Sequence, residues 1–190
     1  MIKSFHDHTV DTSLLKPGCT VLDVGCHGFE FGNQMRQNFQ AKVYEVDIND
    51  LGSSQPYYRC GIADWDGRGD VSDERDWLAR RLIPGDKFPV YTIASFSRLV
   101  GIDCWDVIKL DCEGSEYNIL WNLAAPPAIQ ISVEFHQHTA ARQNEEFMKS
   151  LIDRMQRWYE VKRHRLYGKW GALNYWDSLF ILKPELRTRL

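Results

Sequence analysis

The 190-residue sequence contains no CxxC pair, no internal repeat, no long apolar run and no strong excess of one charge. Each absence excludes a class of protein. Five cysteines (Cys19, Cys26, Cys60, Cys104 and Cys112) are an odd number without zinc-knuckle spacing, so they fit neither a disulfide framework nor a structural metal site. Free thiols suit a reducing compartment. No stretch approaches the roughly 18 uninterrupted apolar residues of a membrane helix. The opening MIKSFHDHTVDTSLL has no apolar core of signal-peptide length. The expectation is a soluble, cytoplasmic protein. A formal net charge of −3 argues against affinity built on neutralising many phosphates, and so against a nucleic-acid partner. The basic stretch from Arg154 to Lys169 reads as the solvated face of a late helix and strand.

What is present is an ordinary globular composition, 44% hydrophobic and 26% charged, which excludes disorder. The length suits one domain, 1–190, with its core at about 17–183. Short β-rich runs alternate with helical stretches, the pattern of an α/β fold. Predicted strands end at Asp23, Asp47 and near Asp64, the last in PYYRCGIAD. A helix is predicted over Phe29 to Phe39 and another over SDERDWLARRLI, with Ser72 as its cap. Phe88 to Ile93 reads as a short strand. WDVIKL is the next strand, followed by a helix that opens near Ser115 and closes at Pro126-Pro127. AIQISVEFH is a further strand, and Asn144 to Arg157 an amphipathic helix. WYEVKRHRL and ALNYWDSLFIL, joined by a short glycine-containing loop, must pair antiparallel, because a parallel crossover needs about a dozen residues.

The turn VLDVGCHGFEFG places Asp23, Gly25, Cys26, His27 and Gly28 between the first strand and its helix. Glycine there lets the backbone turn sharply and approach a ligand. About 20 residues on, Asp47 and Ile48 follow the second strand, where an acid can take two ribose hydroxyls. Glu45 points the same way, but Asp47 sits at the strand end, where ligands bind in open α/β sheets. Dinucleotides and S-adenosylmethionine both use such a site. The middle glycine of the dinucleotide fingerprint G-x-G-x-x-G is missing, which favours S-adenosylmethionine, a cofactor with no phosphate. Asp23, two residues before the first glycine, suits the methionine end of that cofactor.

DVIKLDCEGSEYNIL drives an apolar strand into Asp111, Glu113 and Glu116. Clustered charge at a buried strand tip is costly, so it needs a use or a counter-charge. Lys109 shares the face of Asp111 and can pair with Asp111, Glu113 or Glu134. Glu113 and Glu116 fall at a helix start, where the macrodipole favours negative charge. Glu134 and His136 end the next strand and project to one side. A carboxylate or a neutral imidazole there can take a proton from an acceptor hydroxyl. A divalent cation held by carboxylate oxygens is a second way to activate that hydroxyl. Cys112, between two acids, should have a raised pKa and be a poor nucleophile.

These residues resemble the FkbM-type S-adenosylmethionine-dependent methyltransferases. The likeness lies in Ile108, Lys109, Asp111, Glu113, Gly114, Glu116 and Leu120, with VLDVG, ADWDG, ISVEFH and YWDSLFIL in the family's order. It runs from about Val21 to Leu182. The resemblance implies a Rossmann-like methyltransferase fold: a mostly parallel seven-stranded sheet with a C-terminal antiparallel hairpin and helices on both faces. It implies S-adenosylmethionine as cofactor, methyl transfer to a hydroxyl oxygen, and Asp64 beside the cofactor. The sequence departs from the family in two places. Phe29 stands where the family's second glycine usually falls, and Thr92-Ile93-Ala94 replaces its T-L-D.

No Asp-Pro-Pro-Tyr follows the fourth main strand and no Pro-Cys nucleophile is present, which argues against nucleic-acid amino- or cytosine-carbon methylation. A dinucleotide oxidoreductase and a non-enzymatic cofactor-binding scaffold are the rival readings. The acceptor expected is a sugar, glycan or other small molecule. The predicted catalytic residues are Lys109, Asp111, Glu113, Glu134 and His136. Those expected at the cofactor are Asp23, Gly25, Cys26, His27, Gly28, Asp47, Ile48, Asp64 and Asp111. An oligomer is open.

Overall fold

The computed structural model describes residues 1–72, 81–136, 145–170 and 173–188. In chain order these form β1 (Ile2–Phe5), β2 (His8–Asp11), β3 (Thr20–Val24), α1 (Glu30–Phe39), β4 (Lys42–Asp47), β5 (Tyr58–Arg59) and β6 (Gly61–Ile62). There follow β7 (Gly67–Ser72), β8 (Arg81–Pro84), β9 (Phe88–Tyr91), α2 (Ile93–Val100), β10 (Trp105–Leu110) and α3 (Glu116–Trp121). The chain ends in β11 (Ala128–His136), α4 (Glu145–Met155), β12 (Tyr159–Trp170), β13 (Leu173–Leu182) and the short α5 (Pro184–Arg187). The fold is α/β.

The main sheet is mixed, in the order β12-β13-β11-β10-β3-β4-β5. Strands β11, β10, β3, β4 and β5 run parallel, while β13 is antiparallel to both of its neighbours. Period-2 alternation explains how this sheet divides its residues. Ile108 and Leu110 of β10 and Ile131, Val133 and Phe135 of β11 point to one face, into the large core shared with α2, α3 and α4. The other face carries Val21 and Val107, which pack against Phe31 and Met35 of α1. Toward the carboxyl ends that second face turns polar: Lys109 lies opposite both Asp23 and Ser132, and Glu134 opposite Asp177. Pairing register therefore assembles a buried polar row across β3, β10 and β11, with a second polar pair one step further on across β11 and β13.

Several sequence expectations change. The strand predicted to end near Asp64 is split. Tyr58–Arg59 extends the main sheet, then Gly61–Ile62 pairs with β9 in a separate four-stranded sheet, β6-β9-β7-β8. Gly61 lets this strand pack closely in that sheet, because a side chain there would press on Leu82 and Val90. The helix predicted from Ser72 to Ile83 is incorrect at both ends: Ser72 pairs with Arg81, and Val71 with Leu82, as antiparallel strands. Leu82 is held in that hairpin by Val90 and Phe88, so tertiary packing overrides the helical spacing. Residues 73–80 of that prediction lie outside the described residues. The strand from Phe88 stops at Tyr91. Thr92 then caps the unforeseen α2, its hydroxyl accepting from the Ser95 N–H at 3.1 Å. Ser115 makes no side-chain cap, and α3 ends at Trp121, short of the prolines. An N-terminal hairpin, β1–β2, was not legible in the sequence.

Candidate active site

Gly25 ends β3 with φ +76°, and an added Cβ would lie 1.8 Å from the carbonyl oxygen of Asp111. Only glycine permits that backbone shape and that close approach. The turn it makes opens a cavity of about 520 Å³ at the carboxyl ends of β3, β4 and β10, lined by Asp23, Gly25, Asp47, Ile48, Lys109 and Asp111 among others. Cys26, His27, Gly28 and Glu113 also line it. Asp64 does not. It is exposed, accepts from Asn122 Nδ2 at 3.0 Å, and borders a different hollow.

The choice between the two acids of β4 follows from their partners. Glu45 is fully buried and taken up by a bidentate pair with Arg36 (2.7 and 2.8 Å) and by Gln55. Asp47 lines the cavity, where it accepts the backbone N–H groups of His27 at 3.1 Å and Asn49 at 2.8 Å. It ties the glycine turn to the end of β4. The Cys26 thiol is buried, and burial, with Asp23 and Asp47 nearby, holds its pKa far above the ordinary value.

Lys109 answers the cost of the acidic cluster. Its ammonium donates to the Gly25 carbonyl at 2.6 Å and sits 3.2 Å from Asp23 Oδ1 and 3.4 Å from Asp111 Oδ2. Burial alone would favour its neutral form, but the Asp23 and Asp111 charges hold its pKa above the usual lysine value. Of its expected partners Asp111 is confirmed. Glu113 and Glu134 are not among them, and Asp23 takes their place. Burial would raise the pKa of Asp111, yet Lys109, His8 and His136 pull it well below the carboxylate range. The second oxygen of Asp23, Oδ2, is buried with no hydrogen-bond partner among the described residues.

Beyond Asp111 lies a second cluster. His136 Nε2 faces Asp111 Oδ1 at 3.6 Å, Glu113 Oε2 at 3.7 Å and Glu134 Oε1 at 3.8 Å. Its Nδ1 lies 2.7 Å from Glu116 Oε1, which also accepts the His136 backbone N–H at 3.0 Å. Burial would push this histidine toward neutrality, but Glu116 outweighs it, with Asp111 and Glu113, and its pKa rises to about 10. His136 is therefore an imidazolium at neutral pH, not the neutral base considered from sequence. Glu134 moves the other way for a carboxylate: burial and the Asp111 charge raise it to about 7, against the opposing pull of His136. Two sets of side chains, His8 with Asp111 and Glu134, and Asp111 with Glu113 and His136, bring donor atoms within 4.8 Å of one another. With His136 protonated its Nε2 has no lone pair for a metal, so the second set can hold a cation only after that proton leaves, and Lys109 already supplies positive charge beside Asp111.

Two residues of this cluster had no assigned role in the sequence reading, although Glu116 stands in the acidic run. Glu116 reads as an ordinary helix-start acid, yet it is fully buried and anchors His136. The Gly114 N–H donates to its other oxygen at 2.6 Å, and the αL backbone of Glu113 (φ 51°) and Gly114 (φ 96°) shapes that turn. His8, buried on β2, reaches to 3.6 Å from Asp111 Oδ2. The one available signal was Gln130 and Ser132, polar residues in a strand too apolar to face water.

Against known families, residues 12–167 match the methyltransferase FkbM domain. The chain belongs to the FkbM methyltransferase family. A search of curated proteins finds no match. Among solved structures, this FkbM protein is similar to the fibrillarin/Nop5p complex, with a TM-score of 0.52 and 11% identity over 89% of this chain and 75% of that one. That likeness shows the fold. Weaker similarity reaches M. capricolum TrmK in complex with S-adenosyl-homocysteine (TM-score 0.48, 12% identity, 92% and 69% covered). It also reaches magnesium protoporphyrin IX methyltransferase from Synechocystis PCC 6803 with bound SAM (0.46, 13%, 88% and 71%). Among the described residues, no helix is long and apolar enough to cross a membrane.

Proposed function

We propose that this FkbM protein is an S-adenosylmethionine-dependent O-methyltransferase whose acceptor is a hydroxyl of a sugar, glycan or other small molecule. The observation that carries the cofactor reading is the charge of the cavity. Its lining includes Asp23, Asp47, Asp111 and Glu113, and its one Lys or Arg among the described residues, Lys109, is engaged by three acceptors. A pyrophosphate would meet carboxylates and no available cation, which disfavours a dinucleotide. A ligand bearing an ammonium and a sulfonium suits the same wall, and the orphaned Asp23 Oδ2 is a natural acceptor for an ammonium. Asp47, on the cavity wall at the end of β4, supports this reading as the acceptor for ribose hydroxyls. The volume is in the usual range for such sites.

When bound, S-adenosylmethionine supplies an electrophilic methyl group. The acceptor oxygen must lose its proton as the new O–C bond forms, and Glu134 is the group suited to take it. Its raised pKa, about 7, makes it a stronger base than an ordinary carboxylate while leaving a large ionised fraction at neutral pH. Asp111 is the main charge raising that proton affinity, since protonating Glu134 relieves their repulsion. The His136 imidazolium, pinned by Glu116, fixes where both carboxylates point. An acid-rich pocket suits a neutral polyol, whose hydroxyls donate to carboxylates, better than an anionic acceptor.

The test is transfer of radiolabelled methyl from S-adenosylmethionine to a panel of monosaccharides, oligosaccharides and polyols, with the linkage identified by mass spectrometry. Methyl ethers formed by the wild type and lost in Glu134→Gln are expected. Methylation at nitrogen, or full activity in Glu134→Gln, would overturn the oxygen-transfer reading.

A further inference from the structure

Gln130 and Ser132, on one face of β11, are polar yet fully buried. Buried polar groups need partners, and β2 supplies them. The Asp11 N–H donates to Gln130 Oε1 at 2.7 Å, and Gln130 Nε2 returns a bond to the Asp11 carbonyl at 3.1 Å. The Thr9 N–H donates to Ser132 Oγ at 3.2 Å, and the Thr9 hydroxyl to Asp177 Oδ2 at 3.0 Å. These bonds fix β2 across the sheet in one register, which places His8 over the end of β10. The imidazole is 1% exposed and lies edge-on to Phe31, 5.7 Å between ring centres. Its Nδ1 is 3.5 Å from Ser132 Oγ and its Nε2 3.6 Å from Asp111 Oδ2. His8 precedes the segment, 12–167, that matches the family.

We propose that His8 is a positioning residue of this active site, delivered by the N-terminal hairpin to hold the Asp111 carboxylate in place. Lys109 and His8 both approach Oδ2, so the carboxylate cannot rotate without leaving one of them, and Oδ1 stays toward His136. The Asp111 carbonyl packs on Gly25, so its orientation also sets the wall of the cofactor cavity. The cofactor half of the inference rests on the reading of that cavity as an S-adenosylmethionine site. The hairpin is thus a working part of the site and not only a cover for the sheet.

The test is a double-mutant comparison on the full chain. His8→Phe keeps the ring against Phe31 but removes both nitrogens. His8→Gln restores a polar group, and Thr9→Val cuts the tie to Asp177 while leaving His8. Each is made in the wild type and in Asp111→Asn, and each is measured for S-adenosylhomocysteine affinity by calorimetry and for unfolding by denaturant. His8→Phe should weaken binding fivefold or more when Asp111 is present and less than twofold in Asp111→Asn. His8→Gln should recover part of the loss. Thr9→Val, which loosens the register that carries His8, should lower stability in both backgrounds and weaken binding less than His8→Phe does. Equal losses from His8→Phe in both backgrounds, or none in the wild type, would overturn the proposal. Should the wild type bind no S-adenosylhomocysteine, the cofactor reading fails by itself. The coupling of His8 to Asp111 is then read from unfolding, where additive effects overturn it and non-additive effects support it. If His8→Phe does not fold, His8→Gln and His8→Asn make the same comparison.

Discussion

Glu116 Oε1 accepts both the Nδ1–H and the backbone N–H of His136, at 2.7 and 3.0 Å, where neither side chain has more than 4% of its surface exposed. This pair decides the charge state of the site. It makes a strand-end histidine an imidazolium, so in the proposed mechanism the base is Glu134 and not His136.

Glu116→Gln should cost about 3–5 kcal/mol, the usual penalty for removing one partner of a buried ion pair. The pH dependence is distinctive. His136 rises from an ordinary 6.5 to about 10 in the folded protein, so its stabilisation is complete below pH 6.5 and lost as pH climbs toward 10. Denaturant unfolding of the wild type should therefore show stability falling across that window. In Glu116→Gln the fall should be much shallower.

Glu134→Gln should abolish methyl transfer while leaving S-adenosylhomocysteine affinity within about twofold. The rate of the wild type should rise with pH through about 7 as Glu134 ionises. Its raised pKa also means that ionised Glu134 destabilises the fold, so stability is lost as pH rises from 4.5 through 7. At pH 8, Glu134→Gln should be more stable than the wild type by on the order of 2 kcal/mol. An unfolding series from pH 4 to 8 checks it.

Asp47→Ala should weaken S-adenosylhomocysteine at least tenfold, through loss of a ribose acceptor and of the tie to the His27 N–H. Glu45→Gln should leave affinity nearly intact and lower stability instead, because Glu45 serves Arg36 and Gln55. Calorimetry with both variants separates the two acids.

Gly25→Ala should fail in both respects. The αL backbone and the 1.8 Å approach to the Asp111 carbonyl leave no room for a methyl group, so β3 and β10 must part at the cavity mouth. A loss of at least 2 kcal/mol in unfolding, with cofactor affinity below detection, is expected.

The strands that carry the site were legible because their alternation is strong. VLDVG, YEVD, VIKLD and ISVEFH stand where they were expected; Asp23, Asp47 and Asp111 line the cavity, whereas Glu134 and His136 lie beyond Asp111, outside its lining. Lys109 was readable as a counter-charge because a buried ammonium needs acids. Its pairing with Asp23 was not, since that follows from strand order, which no single stretch encodes. The hairpin at Ser72 and Arg81 was misread as helix because a few apolar residues fit both periods, and only packing on Val90 and Phe88 chooses between them. Glu116 was hidden by its position: an acid in a first helical turn has a ready explanation in the dipole, and its burial depends on the distant His136. His8 had no local signal at all, because its meaning lies in Gln130 and Ser132, more than a hundred residues away.

The most direct measurement is calorimetric titration of the purified protein with S-adenosylhomocysteine, repeated with magnesium and then with NAD. Micromolar binding of S-adenosylhomocysteine without metal, and none of NAD, is the expected result. Binding of NAD, or no binding of S-adenosylhomocysteine with or without magnesium, would contradict the assignment of the acid-lined cavity.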